Sequence, residues 1–311
     1  MQAWASDAHL FYNSAVSDRH HHSHPHGHPP RPTRSEPREL LELRELRTAQ
    51  PELASAVDMQ IDLVDAQRRV QARVPLPWIQ PDPAWLAAQL RAGRPAVRFS
   101  DIPLEWSDFR LSMRQTADVL CRHEALDRDE HKRILDLARD GDALPPIVSE
   151  WYTATSGVDG QKSTPAPPDR MPNLHQVLAL AIKPFLVRSA EALMQRADFS
   201  GWTFGHCPFC GWEPDFATIT PNGDRRLICG RCAAQWASSA FTCPFCANDD
   251  RQQITSFATR DGRYRVYACD VCRRYLKAYD GRNAARPVLV AVDSIATLTL
   301  DAAAMQRGYV G

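Results

Sequence analysis

Four Cys-x-x-Cys pairs, Cys207/Cys210, Cys229/Cys232, Cys243/Cys246 and Cys269/Cys272, are the residues of this 311-residue chain whose type and spacing could do chemistry. Two intervening residues let both sulfurs of a pair face one ion, while the backbone N–H groups between them can point at the thiolates and offset their charge. The pairs are evenly set: 18 residues separate the first two and 22 the last two. Cys-Pro-Phe-Cys occurs twice, at Cys207–Cys210 and again 36 residues later, which marks an internal repeat. The pattern predicts two four-cysteine metal sites, each built from two knuckles joined by a hairpin. Tetrahedral sulfur suits Zn²⁺ and a rubredoxin-like mononuclear iron equally. A dithiol redox role fits less well, because thioredoxin-type chemistry uses one exposed pair in a βαβ setting. Gly211 suits the positive φ that often follows such a knuckle. Ala233, Ala247 and Arg273 hold the corresponding positions, so those three turns are expected to close differently or under strain.

Other reactive side chains point to no catalytic apparatus, and the chain is read as not an enzyme. It has no Gly-rich phosphate loop, no His-Glu-x-x-His and no Gly-x-Ser-x-Gly, and His123, His131 and His175 have no partner at useful spacing. Cys121 reads as a small core residue, and His206, beside Cys207, as a supporting or surface group. The tract His20, His21, His22, His24, His26 and His28 can bind a transition metal weakly, but nothing near it fixes a geometry. It belongs to an expected disordered His/Pro-rich tail over 1–34.

The elements that must position the cysteines fall into two grammars. From Ser35, read as a helix cap, Leu40, Leu43 and Leu46 recur at helical spacing; after Pro51, Leu53, Val57, Ile61 and Val64 continue one apolar stripe. Further helices are predicted over Pro83–Arg91, Ser107–Arg122, Asp129–Asp140 and Asn173–Arg196, the last nearly apolar all round and carrying Pro184. The Pro/Gly/Ser/Thr-rich stretch Gly141–Pro172 reads as a loop. After Gly201, short β-rich runs flank Asn222-Gly223 and Asp261-Gly262, two type I′ hairpin signals. Trp236 and Tyr275 follow the second knuckle of each unit and are expected to cap it from a third strand. The resulting fold class is α+β and multidomain: a helical domain over 35–198, then rubredoxin-like (zinc-ribbon-like) β modules over 201–240 and 241–311, the second ending in a strand and a helix.

Composition narrows the function classes. The chain carries 37 Lys+Arg and 37 Asp+Glu, and no run approaches the ~20 apolar residues needed to span a bilayer. Asp7, His9 and Asn13 interrupt any secretory apolar run near the N-terminus, so a cytoplasmic location with reduced thiols is expected. Over 201–280 ten basic residues face eight acidic ones, with Arg273, Arg274 and Lys277 the densest group. A phosphate-tracking surface normally carries more, so nucleic acid is not the expected partner.

With these features in view, residues 173–309 resemble the FdhE family of formate dehydrogenase accessory proteins. The resemblance is carried by the four Cys-x-x-Cys pairs in order, by Trp236, by the run Cys269–Lys277, by the helix around Leu178–Leu186, and by Val292-Asp293-Ser294, Leu300-Asp301 and Gly308-Tyr309. It implies a cytoplasmic maturation factor for a formate dehydrogenase, binding its catalytic subunit, with iron preferred over zinc in two sites of four cysteines each. Cys-x-x-Cys edges, Trp212 and Trp236 would form the client-binding surface. Two alternatives remain: a rubredoxin-like redox protein acting on the partner enzyme, and a nucleic-acid-binding zinc ribbon.

Overall fold

A six-stranded sheet organises the C-terminal part of the computed structural model, which describes residues 36–156 and 171–311. Strands β1 (Pro214–Ile219), β2 (Arg225–Cys229) and β3 (Gln235–Ser238) form one antiparallel meander, and β4 (Ile254–Ala258), β5 (Tyr264–Cys269) and β6 (Tyr275–Asp280) form another. Parallel pairing of β1 with β6 fuses them into a single sheet of order β3-β2-β1-β6-β5-β4. The repeat seen in the sequence is therefore two copies of one meander laid side by side in the same direction. Trp236 and Tyr275 do lie on third strands. The strand β6, central in the sheet, is buried along its whole length, as expected where both faces are covered.

Alternation sorts the strand residues between two cores. Ala217, Leu227, Trp236, Leu276 and Ala278 face the helical part of the chain and share its core with Phe109, Tyr152 and Phe185. On the other face, Phe216, Ile228, Tyr264, Val266 and Tyr279 pack with Leu300 and Ala304. Those two lie on α9 (Leu298–Gln306), which follows α8 (Val290–Ala296). Residues Pro37–Gly311 make one compact unit.

The helices are α1 (Arg38–Ala49), α2 (Ala54–Gln71), α3 (Pro83–Arg91), α4 (Trp106–Arg122), α5 (Arg128–Arg139), α6 (Leu144–Ser156) and α7 (Leu174–Met194). Leu40 and Leu43 of α1 and Val57 and Val64 of α2 form a third core with Val292 of α8, as their spacing predicts. Ser35 and the His20–His28 tract lie outside the described residues. In α7, Pro184 has no N–H for the Leu180 carbonyl; that oxygen is instead taken by the Gln67 amide at 3.2 Å. No helix among the described residues is long and apolar enough to cross a membrane.

Two local expectations are corrected. Helix α6 occupies the start of the stretch read as a loop, because Pro145 and Pro146 stand in its first turn, where no N–H is needed. Beyond them Val148, Trp151, Tyr152 and Thr155 recur at helical spacing and are buried. The hairpins form, but not through type I′ turns: only Gly223 and Gly262 take positive φ, 91° and 70°, while Asn222 and Asp261 do not. Loops longer than two residues, closed by Thr220 N–H to Asp224 O at 2.8 Å and Thr259 N–H to Tyr264 O at 2.9 Å, require a left-handed residue only at the glycine.

Candidate metal centres

Each knuckle closes by the same two backbone bonds. The N–H four residues after the first cysteine reaches its carbonyl: Gly211 to Cys207 at 2.9 Å, Ala233 to Cys229 at 3.0 Å, Ala247 to Cys243 at 3.0 Å and Arg273 to Cys269 at 2.9 Å. The N–H of that first cysteine donates five residues onward, to Trp212, Ala234, Asn248 and Arg274 respectively, at 2.8–3.0 Å. All four turns therefore close alike, with φ of 73° at Gly211 and 59–60° at Ala233, Ala247 and Arg273. Of the two outcomes expected for the non-glycine turns, the strained one holds. The side chains of Ala233 and Ala247 are exposed and gain nothing from burial. A left-handed L-residue costs about 1–2 kcal/mol, and glycine returns part of that as chain entropy. Ala233→Gly and Ala247→Gly are each expected to stabilise the protein by about 0.5–1 kcal/mol, read as a shift of the denaturant midpoint. Arg273→Gly should bring no such gain, because the Arg273 guanidinium bonds Asp270 at 3.0 Å and covers the Tyr309 ring at 4.2 Å.

The knuckles bring all eight predicted cysteines into two groups of four, with the sulfurs of each group within 4.8 Å of one another. In the first, Cys207 and Cys232 lie 3.6 Å apart, Cys210 and Cys229 3.5 Å, and Cys210 and Cys232 3.7 Å. In the second, Cys243–Cys272 and Cys246–Cys269 are each 3.7 Å. These separations are far too long for disulfides. They fit a tetrahedron around an ion with metal–sulfur bonds of about 2.3 Å, whose edge is about 3.8 Å. Backbone N–H groups support the sulfurs, including Cys232 N–H to Cys229 Sγ at 3.5 Å. The N–H groups of Phe245 and Cys246 point at the Cys243 sulfur, and those of Val271 and Cys272 at Cys269. Burial pushes the Cys207 and Cys232 thiols well above the usual cysteine range. Four buried thiolates repel one another, so a cation among them is what lets the donor set ionise together.

The helical part clasps the first group. Ala96 N–H donates to Pro208 O at 2.8 Å and Val97 N–H to Phe209 O at 3.1 Å. A side chain at Gly211 would place Cβ 1.8 Å from the Ser156 carbonyl at the end of α6, so the knuckle seats only with glycine there. Arg231, between Cys229 and Cys232, is 2% exposed. Its guanidinium lies 3.6 Å from the Trp212 ring centroid, 4.4 Å from Trp151 and 5.6 Å from Tyr152, and donates to Thr155 Oγ1 at 2.9 Å. Its Nε and Nη1 have no hydrogen-bond acceptor among the described residues. Burial lowers its pKa while the thiols of Cys210, Cys229 and Cys232 oppose that, and a guanidinium stays cationic in proteins. His175 accepts the Trp151 indole N–H at Nδ1, 2.8 Å away, and lies against Trp212. Burial first and Arg231 second lower its pKa, so it is neutral. Near the second group, buried Arg225 donates to Thr242 O at 2.6 Å and Ser238 Oγ at 2.9 Å, its pKa lowered by burial to about 10.

Several expectations shift. Trp212 is covered by Arg231 and His175, and Trp236 is 3% exposed with its indole N–H on Phe204 O at 3.1 Å. Trp236 belongs to the core, on the sheet face that the helices cover, whereas Trp212 lies just before β1 and is half-buried against the same core. The histidines read as partnerless have partners: His123 pairs Asp62 at 2.9 Å and His131 pairs Asp118 at 2.8 Å, across distances in sequence that spacing rules do not see. His206 bonds Gly93 O at 2.9 Å and stays outside the sulfur group. Cys121 is half-buried on α4 against the core. The basic group is internally paired, Arg273 with Asp270, Arg274 with Glu213 and Lys277 with Asp301.

A helical layer clasping a sheet that carries two rubredoxin-like pairs of cysteine knuckles defines the class of protein. No family model matches the chain. A protein FdhE homolog from Stutzerimonas stutzeri (strain A1501) is 29% identical over 164 residues, 51% of each chain. The FdhE homologs of Haemophilus influenzae (strain PittGG) and Yersinia enterocolitica are 29% and 31% identical over 107 and 108 residues, about a third of each chain. The chain thus spans about half, or less, of the curated relatives it matches. The crystal structure of the FdhE protein from Pseudomonas aeruginosa shares the fold, with TM-score 0.58 and 18% identity over 88% of this chain and 91% of that one. The chain is thus similar to FdhE proteins in sequence over up to half of its length and in fold over most of it.

Proposed function

We propose that the protein is a cytoplasmic, non-catalytic accessory factor in the maturation of a formate dehydrogenase, binding its catalytic subunit and holding one metal ion in each four-cysteine group. The observation that carries this reading is the pairing of FdhE-like sequence with two four-sulfur groups of tetrahedral dimensions. Cys207, Cys210, Cys229 and Cys232 would hold the first ion, and Cys243, Cys246, Cys269 and Cys272 the second. Four sulfurs leave no open coordination position, which suits a structural or electron-carrying centre rather than hydrolysis. Iron follows the family resemblance and zinc is the alternative. Metal analysis with an optical spectrum separates them, because thiolate-bound ferric iron absorbs in the visible and zinc does not. The role is tested by deleting the gene in its host: formate dehydrogenase activity should be lost while the catalytic polypeptide is still made, and the intact gene should restore it. Normal activity in the deletion strain would refute the proposal. The exposed Cys246 favours one second reading, electron exchange with the partner, which predicts that the visible absorption bleaches on reduction.

A further inference from the structure

The same four residues begin both sulfur groups, and the fold treats them in opposite ways. In the first Cys-Pro-Phe-Cys, Phe209 is fully buried, and the Pro208 and Phe209 carbonyls are bonded to Ala96 and Val97. In the second, Phe245 is half-buried beneath the Arg274 guanidinium, 3.8 Å from its ring centroid. The partner knuckles differ in the same sense: Arg231 is sealed among three rings, whereas Val271 is 58% exposed. All four cysteines of the first group are buried; in the second, Cys246 is exposed and Cys272 half-exposed, while Cys243 and Cys269 are buried. The second group is therefore open along one edge, the one formed by Cys246 and Cys272.

We infer that the two sites differ in kind: the first is a closed interlock, and the second is an exchange centre that trades its ion or one of its ligands with soft donors from solution. This rests on the metal occupancy proposed above. Soft, thiophilic ions and free thiols are the chemical class admitted. At the open edge an incoming thiol can supply the sulfur that Cys246 supplies. The proton the thiol loses passes to the released Cys246 thiolate, so charge is conserved and no electron moves. At the first site the same substitution requires the Ala96–Val97 segment and α6 to part from the knuckle, and such local opening is rare in a packed core.

The test uses the full-length protein as purified. A colorimetric chelator should remove one ion at least about a hundredfold faster than the other, because only one site needs structural opening. Cys246→Ser should abolish the fast phase and preserve the slow one. In parallel, iodoacetamide labelling mapped by mass spectrometry should modify Cys246 and Cys272 first and leave Cys207, Cys210, Cys229 and Cys232 protected. Release of both ions at one rate, or equal labelling of the two groups, would overturn the inference. Metal content below two ions per chain would instead count against the metal reading, and the order of labelling would still decide the asymmetry.

Discussion

Serine in place of Cys210 is expected to leave the protein with one metal ion instead of two and to lower its stability by about 5 kcal/mol or more. For a structural site, metal-binding free energy is folding free energy, about 10–16 kcal/mol in small zinc domains, and a hydroxyl is a poor substitute for a soft thiolate. That loss is as large as the whole stability of many proteins. It should not stay local. Cys207, Cys210, Cys229 and Cys232 belong to the same core as Phe109, Tyr152 and Phe185, so the helices lose their packing partner when the knuckle loosens. Helical circular dichroism should therefore melt at lower temperature, together with the near-ultraviolet signal of the buried tryptophans. Cys246→Ser provides the contrast: at the open edge it should cost the second ion with a much smaller effect on helix melting. Unchanged melting and two bound ions in Cys210→Ser would contradict this account.

How far these properties could be read from the sequence depends on the range over which each is set. The knuckles were legible because Cys-x-x-Cys is a local device, and its repeat identifies which pairs act together. The amphipathic helices were legible for the same reason, α3 to the residue. Features that depend on distant contacts were hidden. Parallel pairing of β1 with β6 brings together strands about sixty residues apart, and no local pattern announces it. Pro145 and Pro146 disguised α6, since prolines signal a loop unless one knows they fall in a first turn. The burial of Arg231 is the feature least legible in the sequence. A charged residue between two cysteines looks like a solvated knuckle tip, and only the arrival of Trp151, Tyr152 and Thr155 from α6 turns it into a buried one.

Arg231→Met should be strongly destabilising although it leaves every cysteine in place, costing about 3–5 kcal/mol. Methionine fills much of the space among Trp151, Tyr152 and Trp212 but removes the cation, leaving the thiolates of the first group without their buried counter-charge. Stacking adds to the loss, since a desolvated cation–π contact contributes about 2 kcal/mol. Arg231→Lys keeps the charge and forfeits the planar stack and the reach to Thr155, so an intermediate loss of about 1–2 kcal/mol is expected. The ordering Arg, then Lys, then Met separates charge from packing, because packing alone would favour methionine over lysine in a cage of three rings. Added salt should leave the ordering intact, as a buried pair is screened far less than a surface one. Metal binding supplies the second measurement. Arg231→Met should weaken the ion held by Cys207, Cys210, Cys229 and Cys232 and leave the second site unchanged, so that only the slowly released ion is affected. If methionine proved as stable as arginine, with both ions retained, the guanidinium would be a filler of space, and charge compensation at the first site would have to come from the backbone N–H groups alone.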